Sequence, residues 1–318
     1  MNAITLSTHG LGKDYGERTA LADLSFTAHA GEIIGLLGPN GAGKTSAIRV
    51  LTTILPPSRG TFEVDGIPHT RPREIRARVG VLPESSGYPL RQTGRQFLRY
   101  YARLYGQPAD AAQARTASLL DEVGLSERSD SPIGSYSRGM RQRLSIARAI
   151  INDPSVVFLD EPTLGLDPFG QRQVLELVRK IAIERRATVV LSTHLLNEVE
   201  ETCSRVLMLH RGRVVAEGSV ADVTRRAAAP RTARLRVPEE AFERAQATLA
   251  AAPGVTAVEP AAGLRGSLLI TLADGSAARE IDTRPALAAL AAADIALLAF
   301  ELQGARLSDA FLAVAGES

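Results

Sequence analysis

Three stretches of this 318-residue sequence hold residue types and spacings that could handle a phosphorylated anion. The first is GPNGAGKT at 38–45. Gly38, Pro39, Asn40, Gly41, Ala42, Gly43, Lys44 and Thr45 fit G-x-x-x-x-G-K-[ST], with the apolar run EIIGLLG before them and a helical pattern opening at Thr45 and Ser46. In such a loop the glycines let backbone N–H groups wrap phosphates. Lys44 would reach the terminal phosphates and the Thr45 hydroxyl would ligate Mg²⁺. Only Lys13, Lys44 and Lys180 among the 37 basic residues are Lys. A chain that writes Arg almost everywhere kept a compact ammonium where a phosphate cradle uses one.

The second stretch is VVFLDE at 156–161, an apolar strand ending in two carboxylates. Alone it is a strand meeting solvent. Beside a phosphate cradle, Asp160 becomes a metal ligand, and Glu161, pointing the other way from the strand end, becomes a general base for water. The third is SYSRGMRQRLSIARAI at 135–150, a Ser cap ahead of an amphipathic helix. Free N–H groups and the positive end of the helix dipole make that a second anion grip. One nucleotide site has no use for two.

The elements that must position these residues read as alternating strands and helices. Strands are expected at 3–8, 21–27, 32–38, 61–66, 79–84, 156–162 and 188–194, and a helix over 171–186. RVLMLHRGRVVAEG at 205–218 reads as a hairpin turning at Arg211 and Gly212. This order predicts an α/β domain over 1–224 with a parallel sheet covered on both faces. From about 93 to 151 the pattern is helical throughout, which implies a helical lobe. RRAAAPR at 225–231 reads as a linker. Beyond it, 232–318 runs strand, helix, strand, strand, helix, strand, the ferredoxin-like βαββαβ order of an α+β domain, with a last short helix at 307–314.

Composition narrows the classes. The net charge of +2 gives no global field for nucleic acid, and a lone Cys203 excludes an internal disulfide or a thiolate zinc cluster and fits a reducing cytosol. The first residues offer neither a basic start nor an apolar core, so no secretory leader is expected. The most apolar tract, 286–300, is too short to span a bilayer and carries Asp294. Any membrane span would come from another polypeptide.

In their order these motifs resemble the ATP-binding cassette (ABC) transporter family over about residues 3–220. The resemblance implies a P-loop ATPase with a β subdomain and helical lobe, using ATP and Mg²⁺. It implies that Tyr15, in KDYGERTALADLSF, stacks on adenine and that Ser137 and Gly139, in YSRGM, stand for the Ser and second Gly of the LSGGQ signature. It implies too that Asp167, in LGLDP, lies in a loop crossing a dimer interface and that His194, in STH, is the switch histidine at the γ-phosphate. Glu84 replaces the family's usual Gln, and a carboxylate can still ligate Mg²⁺. Arg138 and Met140 replace the signature's first Gly and its Gln. In this family the signature closes on the partner's nucleotide, so two copies would sandwich two ATP molecules. That answers the question of the second grip.

The resemblance further implies an exporter ATPase working with a separate permease, peripheral on the inner face of the cell membrane. The tail resembles the accessory domain of drug, antibiotic or polysaccharide exporters. The alternative is a non-transport cassette acting on ribosomes or nucleic acid. Its footing is Arg-rich segments at 73–80 and 225–237, which lack interleaved aromatics for base stacking, so no nucleic acid is expected as a partner. A GTPase or small-molecule kinase would leave Ser137 and His194 unexplained, and no N-K-x-D motif is present.

Overall fold

The N-terminal stretch pairs with itself as a long hairpin. In the computed structural model, β1 (Ile4–Tyr15) and β2 (Arg18–His29) are 12-residue antiparallel strands, much longer than the two short ones expected. Register shifts along the pair break the apolar–polar alternation, which is why the sequence pattern understates them. The structure describes residues 3–84, 87–226, 231–261, 265–273, 283–303, 307 and 311.

The chain then runs β3 (Ile33–Leu37), α1 (Lys44–Leu51), β4 (Arg59–Val64), β5 (Ile67–Pro68), α2 (Pro72–Arg76) and β6 (Val79–Leu82). Three helices follow without a strand: α3 (Gly94–Leu104), α4 (Ala109–Glu122) and α5 (Arg138–Ala149). Thr93 starts α3 with a reciprocal capping box, its hydroxyl taking the Gln96 N–H while Gln96 returns to the Thr93 N–H. Next come β7 (Val156–Asp160), α6 (Pro168–Glu184), β8 (Thr188–Ser192), α7 (Leu196–Thr202), β9 (Arg205–His210), β10 (Arg213–Ser219) and α8 (Val220–Arg226). Arg211 and Gly212 both have positive φ, 49° and 78°, as the tight turn between β9 and β10 requires.

The sheet has ten strands in the order β5-β4-β1-β2-β10-β9-β3-β8-β7-β6. It is mixed, not parallel throughout as expected from strand–helix alternation. Its parallel part is β9-β3-β8-β7-β6, and β10 meets β2 through one parallel pairing, Arg213 with Asp23. The strands β1 and β2, and likewise β4 and β5, are joined by tight turns that leave no room for the crossovers that parallel pairing needs, and β4 returns antiparallel beside β1 after β3 and α1. Strands β3, β7 and β8 are buried along their whole length, as helix-covered parallel strands are. One apolar core runs from Leu6, Leu24 and Phe62 through Ile48 and Leu51 to Val156 and Phe158.

The chain divides into two compact units, Met1–Val223 and Thr224–Glu317. The second contains β11 (Arg231–Arg236), α9 (Phe242–Ala250), β12 (Val255–Pro260), β13 (Ser267–Leu272), α10 (Arg284–Ala292) and β14 (Ala299–Gln303). Its antiparallel sheet is ordered β12-β13-β11-β14, and Leu235, Ile270, Leu249 and Leu290 belong to its own core. The last strand, expected over IALLAFE at 295–301, begins only at Ala299, because residues 295–298 leave α10 without regular structure. Most of the expected linker and of the helix at 307–314 lies outside the described residues. Among the described residues no helix is long and apolar enough to cross a membrane.

Candidate functional site

Strand β3 delivers the chain to the Gly-rich loop at its C-terminal end, and α1 leaves from that loop. Gly43 occupies the N-cap of α1 at φ 110°, where an added Cβ would lie 2.5 Å from the Ala20 carbonyl oxygen. Only glycine fits there, and having no side chain it leaves the first N–H groups of α1 uncapped. Those N–H groups and the dipole converge on one point, the arrangement that binds phosphate. Lys44, 7 % exposed, donates from Nζ to the carbonyls of Gly38 at 2.5 Å and Pro39 at 3.3 Å. Burial pulls its pKa down, while the carboxylates of Glu161, Asp160 and Glu84 pull it back up.

Strand β7 brings in the acids. Asp160, its last residue, is 4 % exposed, and burial pushes its carboxyl up; the Ser192 and Thr45 hydroxyls act the other way, and Glu84 and Glu161 push it further up. Two carboxylates and a hydroxyl (Asp160, Glu84 and Thr45) border the same cavity, and an all-oxygen donor set is what a hard divalent cation takes. The upward push on Asp160 fits such an ion, which would restore the ionised form.

Glu161 turns out of the strand at φ 49°, its N–H donating to the Ser192 carbonyl at 2.9 Å. Asp160 pairs with Ser192 across the parallel β7–β8 ladder, so the residues leaving the two strand ends emerge side by side. His194 Nδ1 therefore comes to 2.8 Å from Glu161 Oε2. Behind this pair, Glu198 on α7 is 6 % exposed and accepts from the Thr193 hydroxyl at 3.1 Å, and that hydroxyl accepts the Leu195 N–H. Burial pushes the Glu198 carboxyl up, against the Thr163 and Thr193 hydroxyls beside it.

One cavity of about 310 Å³ is lined by residues 39–46 with Tyr15, Glu84, Asp160 and Glu161, and His194 reaches it only through its contact with Glu161. Tyr15, at the end of β1, is 42 % exposed; its hydroxyl stands 3.5 Å from Ser46 Oγ, and Lys13 Nζ lies 5.5 Å from its ring centre. Sequence reasoning missed Arg18 and Arg49, which also line it. Arg49 follows Thr45 by four residues, one helical turn, so spacing alone places it on the cradle's face of α1; nothing in the sequence marks Arg18.

Three expected site residues lie elsewhere. Ser137 caps α5, its Oγ accepting the Met140 N–H at 3.2 Å, and Gly139 follows in the first turn with open space where a Cβ would stand. Asp167 caps α6, accepting the Gly170 N–H at 2.9 Å. None of the three lines the cavity. The second anion grip therefore stands outside the cavity that the cradle of its own chain lines.

The chain is similar to known ATP-binding proteins. The family model described as ABC transporter matches residues 21–164. The Nod factor export ATP-binding protein I of Burkholderia orbicola is 39 % identical over 220 residues, 69 % of this chain and 72 % of that protein. The ABC transporter ATP-binding protein NatA of Bacillus subtilis is 37 % identical over 203 residues, 63 % of this chain and 82 % of its own. A solved structure of an ATP-binding subunit of an ABC transporter superposes with a TM-score of 0.63 at 32 % identity, covering 70 % of this chain and 92 % of that one.

Proposed function

This chain belongs to the ATP-binding proteins of the ABC transporter family, and from that premise we propose that it is the ATPase subunit of an exporter whose membrane-spanning part is a separate polypeptide. The observation that carries the reading is the division of labour in the first unit. The cradle and the acids line one cavity and Glu161 ties His194 to its edge, whereas Ser137, Gly139 and Asp167 are not among the residues that line it.

ATP binds in the cradle with its phosphates on residues 38–46, Lys44 on the β- and γ-phosphates, and its adenine stacked on Tyr15. Thr45, Asp160 and Glu84 would hold Mg²⁺, which would supply positive charge against the phosphate oxygens. Glu161 takes a proton from the attacking water, and His194, oriented by its contact with Glu161, contacts the γ-phosphate. Ser137 and the N–H groups near Gly139 close on the γ-phosphate of a partner copy, and Asp167 crosses between the copies. ATP therefore joins two chains and ADP does not, a differential contact that converts hydrolysis into opening.

On the helical lobe, Tyr100 and Leu104 stand one turn apart on α3 and are 59 % and 65 % exposed, with Leu90 also exposed. An apolar patch of that kind suits a permease segment, and through it the chain sits at the inner face of the membrane. The second unit, with its sheet order β12-β13-β11-β14, is read as a ferredoxin-like accessory domain adding dimer contacts or regulation. The relatives carry transporter names, which favours the exporter reading over the ribosome- or nucleic-acid-bound alternative.

The test is co-expression with the polytopic membrane protein encoded beside it. Co-purification in detergent, with ATP hydrolysis altered by that protein, is the expected result. A chain that stays unpartnered with every candidate permease, and whose hydrolysis none of them changes, would refute the exporter reading.

A further inference from the structure

Two side chains of α5 reach across to the loop that follows Glu161. Arg138 donates from Nη2 to the Leu164 carbonyl at 2.7 Å, and Gln142 donates from Nε2 to the Pro162 carbonyl at 2.6 Å. Four residues apart, they share one face of the helix. The loop is fitted to receive them. Gly165 has φ 71°, and a Cβ there would sit 2.5 Å from the Arg138 guanidinium carbon, so the guanidinium lies against bare backbone. Within the loop the Leu164 N–H returns to the Glu161 carbonyl at 3.2 Å and the Leu166 N–H to the Thr163 carbonyl at 3.1 Å. Asp167 follows directly as the cap of α6.

Ser137 and Asp167 are thus the two ends of a single braced assembly: helix start, two side-chain straps, loop, helix start. We propose that Arg138 and Gln142 are positioning residues that make the start of α5 and the 162–167 loop one body acting in trans, so that Ser137 and Asp167 engage the partner's nucleotide together. The inference rests on the ATP-sandwiched dimer proposed above. It also gives a use to Arg138, the departure from the family's glycine. A glycine has no side chain to tie the helix to the loop.

The experiment uses the full chain and mixed dimers. Arg138→Ala is expected to lower kcat about tenfold, the lower end for a charge-assisted hydrogen bond at an exposed position, with ATP binding to the monomer unchanged. Gly165→Ala keeps the charge of Arg138 but displaces it, and is expected to reproduce the defect. Arg138→Ala is then mixed with Lys44→Ala. The only live cradle in that mixed dimer belongs to the Arg138→Ala chain and faces an intact strap, so the rate should equal that of wild type mixed with Lys44→Ala. Placing both substitutions on one chain and mixing it with wild type puts the live cradle opposite the broken strap, and the tenfold loss should return.

A defect that follows the chain carrying the live cradle would overturn the proposal, and so would an Arg138→Ala chain with wild-type kcat. If the dimer reading itself fails, wild type will not dimerise with ATP at all. The two failures are therefore distinguishable.

Discussion

Glu161→Gln isolates proton transfer from everything else the site does. Glutamine has the length and shape of glutamate, so the left-handed backbone at position 161, φ 49°, costs the same for both, roughly 1–2 kcal/mol. The fold is not disturbed. The amide oxygen can still accept from His194 Nδ1 across the 2.8 Å contact, so the histidine keeps its orientation. Only the ability to take a proton is lost. A positioned general base contributes roughly 10²–10⁴ in rate, about 2.7–5.4 kcal/mol of barrier. Steady-state hydrolysis should fall by that factor, while ATP affinity, set by the loop and Lys44, should change less than about threefold, under 1 kcal/mol. Hydrolysis is the exit from the closed state, so the variant should accumulate as an ATP-bound dimer. Quenched-flow single-turnover measurements with labelled ATP read the chemical step, and light scattering with and without ATP reads the dimer. Single-turnover hydrolysis within threefold of wild type would remove Glu161 from the base role.

Ser137→Arg removes the cap of α5, worth about 1 kcal/mol, and fills the phosphate grip; ATP should still bind the monomer, but scattering should detect no ATP-dependent dimer. Gly43→Ala forces a Cβ to 2.5 Å from the Ala20 oxygen at φ 110°, so thermal melts should show a loss above about 1 kcal/mol and no shift on adding ATP. Burial raises the Glu198 carboxyl above its unfolded value, so the folded chain holds that proton more tightly. This contribution is fully present below the unfolded pKa and is lost as pH rises through the folded one. Glu198→Gln, a permanent mimic of the neutral acid, should melt higher than wild type at pH 8 and gain nothing near pH 4; a pH-independent difference would sink this account.

What the sequence made legible was local. The 38–46 loop could be read because its glycines, lysine and hydroxyls are contiguous and do their work through their own backbone. The helical lobe was legible because α3, α4 and α5 follow one another with no strand between them. Long-range pairing was not legible. Bulges hid the length of β1 and β2, and no local pattern announces that β10 lies beside β2, 190 residues away in sequence at Arg213 and Asp23. The same holds for side chains that act across the fold. Arg138 looked only like a lapse from a motif until its carbonyl partner, 26 residues on, was in view. Nothing in the sequence around Glu198 marks it as buried, yet on α7 it is only 6 % exposed.

The pairing of Asp160 with Ser192 carries a rule for how this molecule tolerates change. Adjacent strands lie about 4.8 Å apart, so two residues emerging from matched ends start within easy reach, and the sheet itself sets the gauge of the Glu161–His194 couple. Inserting or deleting one residue in β7 or β8 would swing one member to the opposite side. The far end of the connection between them, the C-terminal part of α6 and the turn that follows it, has no such duty and can lengthen or shorten on the outside, unlike the 162–167 loop that is strapped to α5. Length variation among functional copies should therefore collect in that outer span and be absent from the two inner rails.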